Sequence, residues 1–324
     1  MRGSTRACAP AEKDRAPDMS NMTDVTPTAD TGAEADAAPR APGRYSWASL
    51  KAHPSLLIGG GIVLLMVLVA LFAPLLAPHD PYAQDITNRA VPPVWFDKGS
   101  WDHILGTDQL GRDYLSRLIY GARVSLLIGF AAVSIAGVIG TVLGLLGGYF
   151  GGRVDMVVTF LTTIRLSLPV ILVALAVVAV LGGSITIVVI VLGLLKWDRF
   201  AVVVRATASQ ISRLDYVRSA QAAGASTFYI LTREVLPNLT PQLIVIATIE
   251  IASAILMEAA LSFLGLGVQP PTPSWGLMIS EAKGYMFFSF WLISIPGIAL
   301  ATLVFAINLA GDGLRDLVSP DGRG

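Results

Sequence analysis

The residue types most able to do chemistry are few in this sequence and poorly placed for it. The lysines Lys13, Lys51, Lys98, Lys196 and Lys283 all lack the glycine-rich turn and following Ser or Thr with which a P-loop holds nucleotide phosphates. His53, His79 and His103 form no pair at helical spacing and have no adjacent glutamate, so no intramembrane zinc-protease motif is present, and each reads as an interfacial or loop residue. No Gly-x-Ser-x-Gly elbow occurs. Cys8, the single cysteine, can form neither an internal disulfide nor, alone, a cysteine-type metal site. The sequence argues against catalysis and against a resident metal or cofactor. A conduit or a scaffold fits better.

A second group of ionisable residues lies inside apolar stretches, where a charge at the bilayer centre costs about 3 kcal/mol on insertion scales. Glu250 and Glu258 share one stretch, Arg165 lies in another, and Lys196, Asp198 and Arg199 interrupt a third. Glu250, Glu258 and Arg165 are candidates for lining a translocation path. The alternative is internal support, with a glutamate paired to Arg165 or hydrogen-bonded. For Lys196, Asp198 and Arg199 the favoured reading is an interfacial cluster around Trp197.

The elements that must hold these residues follow from composition. Of 324 residues 54% are hydrophobic and 14% charged, and the mean hydropathy is +0.65, too apolar for an ordinary soluble domain of this length. The 23 basic and 23 acidic residues leave no net field to attract nucleic acid. Residues 1–44 are polar and aperiodic and read as a disordered cytoplasmic tail, followed by a membrane domain over 45–324. Six apolar stretches of roughly 20 residues, the length that crosses a bilayer as a helix, are expected near 56–77, 124–147, 156–181, 184–204, 242–264 and 290–310. The first is long enough to be a span rather than a cleaved signal. Gly182 and Gly183 mark a tight hairpin between the third and fourth.

Arg40, Arg44, Lys51, Arg153, Arg205, Arg213, Arg218, Arg233, Arg315 and Arg323 fall on one side of a six-span arrangement, against Arg89, Lys98, Arg112, Arg117, Arg123 and Lys283 on the other, where six aspartates of the loop before the second span accompany them. This modest bias favours cytoplasmic termini. Small residues recur every fourth position at Ala132, Ala136, Gly140, Gly144 and Gly148, forming a stripe for close helix approach. Its partner is either a helix of the same bundle or a helix of a second chain. The overall expectation is an all-α polytopic membrane protein.

The polar loop over 205–237 is long for a simple helix connection. Ile211, Leu214 and Val217 recur at helical spacing, Gly224 ends that run, and a second helical run from Phe228 to Leu236 is expected to close at Pro237. The string DYVRSAQAAGASTFYILTREVLPN, Asp215 to Asn238, resembles the EAA loop of ABC import permeases. Ser219 and Ala220 take its two alanine places and Gly224, Leu236 and Pro237 match, while Arg218 stands where that family usually has glutamate. LGTDQLGRDYLSRLIYGARVSL, ALSFLGLGVQPPTPSWGLMI and GDGLRDLVSP resemble segments of the "C" type dipeptide and oligopeptide permeases. Together these strings extend over most of the chain beyond residue 50.

The resemblance implies a six-helix type I ABC importer (MetI-like) permease fold in a bacterial inner membrane. It implies a coupling helix that docks an ATPase through Asp215, Tyr216, Arg218, Ser219, Ala220, Ala223, Gly224, Ala225, Ser226 and Pro237. Implied partners are a second permease chain of "B" type, two ATPase subunits or one fused ATPase that bind ATP and magnesium, and an extracytoplasmic peptide-binding protein. The implied function is ATP-driven import of di- or oligopeptides by a hetero-oligomer, this chain forming half of the pore. Two rival classes are an ion-coupled secondary transporter, with Glu250 and Glu258 as ion sites, and a membrane scaffold. Related ligands such as a nickel complex, heme, glutathione or a sugar are further alternatives.

Overall fold

The structure is a computed structural model that describes residues 53–318; the expected 1–44 tail lies outside them. The described chain is helical throughout apart from its loops. Helix α1 covers Pro54–Leu71 and a short α2 covers Ala73–Leu76. A long loop then leads to α3, Tyr114–Phe150, whose 37 residues rise roughly 55 Å at 1.5 Å each. That length exceeds a hydrocarbon core of about 30 Å, so α3 joins the two ends of the bundle. Asp113 caps its start by accepting from the Ser116 amide.

Two expected spans are not single helices. The stretch 156–181 divides into α4, Gly152–Ser167, and α5, Val170–Leu181, which meet at 82°. Pro169 cannot continue α4 and holds Leu168 extended at φ −93°, ψ 129°. The stretch 184–204 divides at Lys196 into α6, Ile185–Leu195, and α7, Trp197–Ile211. At 11 residues α6 is too short to cross alone. Among the described residues four helices are long and apolar enough to span, or five if the bent α4–α5 pair forms one span.

Helix α8, Asp215–Ala222, precedes α9, Thr227–Phe263. The expected stop at Pro237 does not occur. A π-helical turn over Ile230–Val235 absorbs the register change, and the Leu236 amide donates to Leu231 O five residues back. The helix then continues through Pro237 and Pro241. Helices α10, Trp275–Glu281, and α11, Trp291–Val318, complete the chain.

The small-residue stripe finds its partner within the chain. A Cβ on Gly144 would sit 2.8 Å from Ala201 O, and one on Gly148 would sit 2.5 Å from Arg205 O, both on α7. Gly140 faces Trp197 and Phe200 equally closely, and Ala132 O faces Gly193 of α6. The α3–α7 contact is therefore backbone against backbone, a packing that any larger side chain would wedge apart. The main core gathers Leu126, Val133, Phe200, Ile255, Met278 and Leu303 from α3, α7, α9, α10 and α11.

Candidate functional site

At the end of the bundle where α3 terminates, α8 lies with one apolar side chain turned inward. Val217 is fully buried among Val204, Ala208, Ile211, Ile230, Val235 and Leu239. The remaining candidates Asp215, Tyr216, Arg218, Ser219, Ala223, Gly224, Ser226 and Pro237 are exposed, and Ala220 and Ala225 are half-buried. The surface left open is small and close to the backbone.

Gly224 ends α8 at φ +82°, a left-handed conformation that side chains with a Cβ resist. The Ala225 amide donates to Ala220 O and the Gly224 amide to Gln221 O, so the last carbonyls of α8 are satisfied. Ser226 then caps α9 by accepting from the Tyr229 amide. Two side-chain bonds fix the bend to its neighbours. Gln221 Nε2 donates to Tyr149 Oη at 3.1 Å, and Asn238 Nδ2 donates to Tyr216 Oη at 3.2 Å. Partial burial, and then the Glu234 charge, push the Tyr216 hydroxyl above the usual phenol range, so it stays neutral.

The ionisable residues of the apolar stretches form two separate arrangements. Lys196, at the break between α6 and α7, donates to Glu250 Oε2 and to Ser253 Oγ, both at 2.7 Å. Arg199 Nε lies 3.3 Å from Glu250 Oε1 as a charge contact without hydrogen-bond alignment. Of the residues expected as an interfacial cluster around Trp197, Lys196 and Asp198 are buried inside the bundle, and Arg199 alone of the three charged residues is exposed, at 64% of its side chain. Burial follows from the break itself, which turns Lys196 toward α9 where the Glu250 carboxylate offsets its desolvation.

Glu258 is fully buried and accepts through Oε1 from Ser262 Oγ at 2.8 Å and Ser274 Oγ at 2.9 Å. It ties α9 to the start of α10. Arg165 meets neither glutamate: its guanidinium lies 3.9 Å from Asp198. The sequence places an acid and a base in apolar helices but not the break at Lys196, which selects a different base for Glu250 than the expected Arg165.

A third cluster escaped the sequence reading. Arg112 contacts Asp108 at 2.5 Å and Glu281 at 3.0 Å, and Arg117, fully buried, lies 2.8 Å from Glu281 and 3.4 Å from Asp108. These four charges lock the loop before α3 to α10 at the end of the bundle opposite α8. Their signal was the charge-rich string LGTDQLGRDYLSR, but its pairing partner lies 164 residues away from Arg117 and has no local trace.

Comparisons with known proteins fit this architecture. The family model described as the binding-protein-dependent transport system inner membrane component matches residues 140–323, and that of the N-terminal TM domain of oligopeptide transport permease C matches 41–93. The chain is 40% identical to the dipeptide transport system permease protein DppC of Haemophilus influenzae, over 87% of this chain and 96% of that one. It is 44% identical to the di/tripeptide transport system permease protein DppC of Pseudomonas aeruginosa, over 85% and 90%. The glutathione transport system permease protein GsiD of Pectobacterium atrosepticum is 36% identical over 88% and 93%. A chain of the MetNI methionine ABC transporter, solved in inward-facing conformations, superposes with a TM-score of 0.53 at 20% identity, covering 63% of this chain and 98% of that one. The fold is accordingly the MetI-like one, and the chain belongs to the family of inner-membrane components of binding-protein-dependent transport systems, as a membrane-spanning permease.

Proposed function

We propose that this chain is one of two permeases in an ATP-driven importer of di- or oligopeptides, non-catalytic itself and coupled to separate ATPase chains through α8. The observation that carries the reading is α8: a short helix whose one fully buried side chain is Val217, presenting Ser219, Ala223 and Gly224 with little side-chain bulk. A partner's cleft can close on such a surface at backbone distance. The peptide class rests on the dipeptide and di/tripeptide permeases that the chain resembles at 40% and 44% identity.

In this reading the partners are a "B" type permease, two ATPases or one fused ATPase holding ATP and magnesium, and an extracytoplasmic peptide-binding protein. The α8 end faces the cytoplasm in this reading, which the Arg and Lys residues gathered there support. ATP favours one of two arrangements of the ATPases, and α8 passes that preference through the Gly224 bend into α9, whose π turn is a second point of local give. Glu250 and Glu258 support the bundle instead of carrying ions, because each already has buried protein partners.

The test is purification of the tagged chain in mild detergent with mass spectrometry of what accompanies it, beside a Gly224→Trp variant. Two ATPase chains and a second permease with the wild type, with the ATPases lost in the variant, are expected. A lone chain or homodimer, unchanged by the substitution, would overturn the reading.

A further inference from the structure

The histidines that sequence spacing left unconnected come together around one carboxylate. Asp113 Oδ1 lies 2.9 Å from His103 Nδ1 and 3.7 Å from His79 Nδ1, and the two imidazole rings are 4.9 Å apart. One donor atom from each of His79, His103 and Asp113 falls within 4.8 Å of the others. In a tetrahedral zinc site with bonds of about 2.0 Å, donor atoms stand roughly 3.3 Å apart. Two of the three separations, 2.9 and 3.7 Å, lie either side of that value, and the shorter is also a hydrogen bond between His103 Nδ1 and Asp113 Oδ1, the contact that an ion would replace.

Each donor is held by its own stretch of chain. The His79 amide donates to Ser116 Oγ at 3.1 Å, which places its ring over the start of α3. The turn carrying His103 is closed by its amide donating to Ser100 O at 3.2 Å and its carbonyl accepting from Gly106 N at 2.8 Å. Asp113 spends Oδ2 on the Ser116 amide, the α3 cap, which orients Oδ1 toward the imidazoles. A carboxylate fixed by a second hydrogen bond is how ligating groups are commonly aimed. The side chain of His79 is 43% exposed, that of His103 17% and that of Asp113 1%, so the trio has a buried floor and one side open to solvent.

We propose that His79, His103 and Asp113 form a binding site for a borderline divalent transition-metal ion, Zn²⁺ or one of similar preference, at the end of α3 opposite α8. Two imidazole nitrogens and a carboxylate oxygen select such ions over magnesium or calcium, which take mostly oxygen. The ion staples the loop after α2 and the turn at His103 to the α3 cap. Its exposed side leaves a coordination position for water or for a donor from a docking protein.

The test uses the full chain with a non-histidine tag in a Cys8→Ser background, so that neither tag nor thiol contributes ligands. Equilibrium dialysis against Zn²⁺ is expected to give one ion per chain. Affinity should fall at least about tenfold in His79→Ala, whose exposed side chain can be removed without disturbing the core, and in His103→Asn, and stay unchanged in His53→Ala. X-ray absorption at the zinc edge should show two imidazoles in the wild type and one in His79→Ala. No retained zinc, equal binding by His79→Ala, or fewer than two imidazoles in the wild type would each overturn the site.

Discussion

Lys196 Nζ donates to Glu250 Oε2 at 2.7 Å, joining the break between α6 and α7 to the middle of α9. Both groups are buried, so either one alone is an uncompensated charge in a medium that solvates it poorly. Glu250→Ala is expected to destabilise the chain by about 3–5 kcal/mol, and the double variant Lys196→Met, Glu250→Leu to recover most of that loss. Thermal unfolding in detergent compares the three. Equal losses in the single and double variants would show that the pair contributes through packing alone.

Glu258 answers a different question. Its Oε1 receives both Ser262 and Ser274 hydroxyls, an acceptor role that a glutamine oxygen can take over. Glu258→Gln is expected to keep peptide uptake and stability near wild type, while Glu258→Ala leaves two buried hydroxyls without their acceptor and costs about 1–3 kcal/mol. Uptake in reconstituted vesicles and detergent melting temperatures check both. An ion-coupled mechanism through Glu258 requires the opposite, loss of transport in the Gln variant with stability retained.

The α3–α7 contact makes the sharpest packing prediction. A side chain on Gly144 meets Ala201 O and Val204, neither of which can move without shifting α7. Gly144→Leu is expected to abolish the monodisperse species in size-exclusion chromatography. Gly60→Ala, on a helix where an added Cβ meets nothing within 4 Å, should leave it unchanged.

What the sequence revealed and what it hid divide along the range of the interactions. Apolar length announced α1, α3, the later part of α9 and the earlier part of α11, because a bilayer demands a run of apolar residues from every crossing helix. The same rule marks 156–181 as one span, and Pro169 within it divides that stretch into two helices that meet at 82°, which together still have the length and apolarity of one bent span. At Pro237 the expected helix end does not occur. Pro237 lies inside α9, and the π turn over Ile230–Val235 just before it shifts the hydrogen-bond register so that the helix runs on through the proline. The α8 stretch was legible in part: Gly224 ends it by a local backbone preference, whereas Ile211 closes α7 and Leu214 lies in the connection, so the helical run expected through Ile211, Leu214 and Val217 is broken. The Lys196–Glu250 pair, 54 residues apart, depends on how α7 and α9 cross and has no periodicity to betray it.

Gly224 tests coupling separately from folding. At φ +82° any residue with a Cβ is strained by about 1–2 kcal/mol, and nothing lies within 4 Å to clash with the new side chain. Gly224→Val is therefore expected to insert and fold with a modest fall in melting temperature, yet to lose most binding-protein-stimulated ATP hydrolysis in the assembled transporter. Full stimulation in that variant would remove the bend from the coupling route.

Arg117 is fully buried at the opposite end of the same helix α3, and it holds Glu281 of α10 at 2.8 Å with Asp108 at 3.4 Å. Its Nε and one terminal nitrogen lack aligned acceptors, so the arginine depends on the charge of its two carboxylates more than on a full set of hydrogen bonds. Arg117→Met removes the cation and leaves Arg112 to balance both acids, which is expected to cost about 3–5 kcal/mol. Glu281→Gln should cost less, because Glu281 is 16% exposed and water can solvate the altered group. Because the cluster ties the loop before α3 to α10, limited proteolysis should cut that loop faster in Arg117→Met than in Glu281→Gln. Equal cleavage and equal melting temperatures in the two variants would mean that the apolar contacts of Trp275 and Met278 hold α10 in place without the charges.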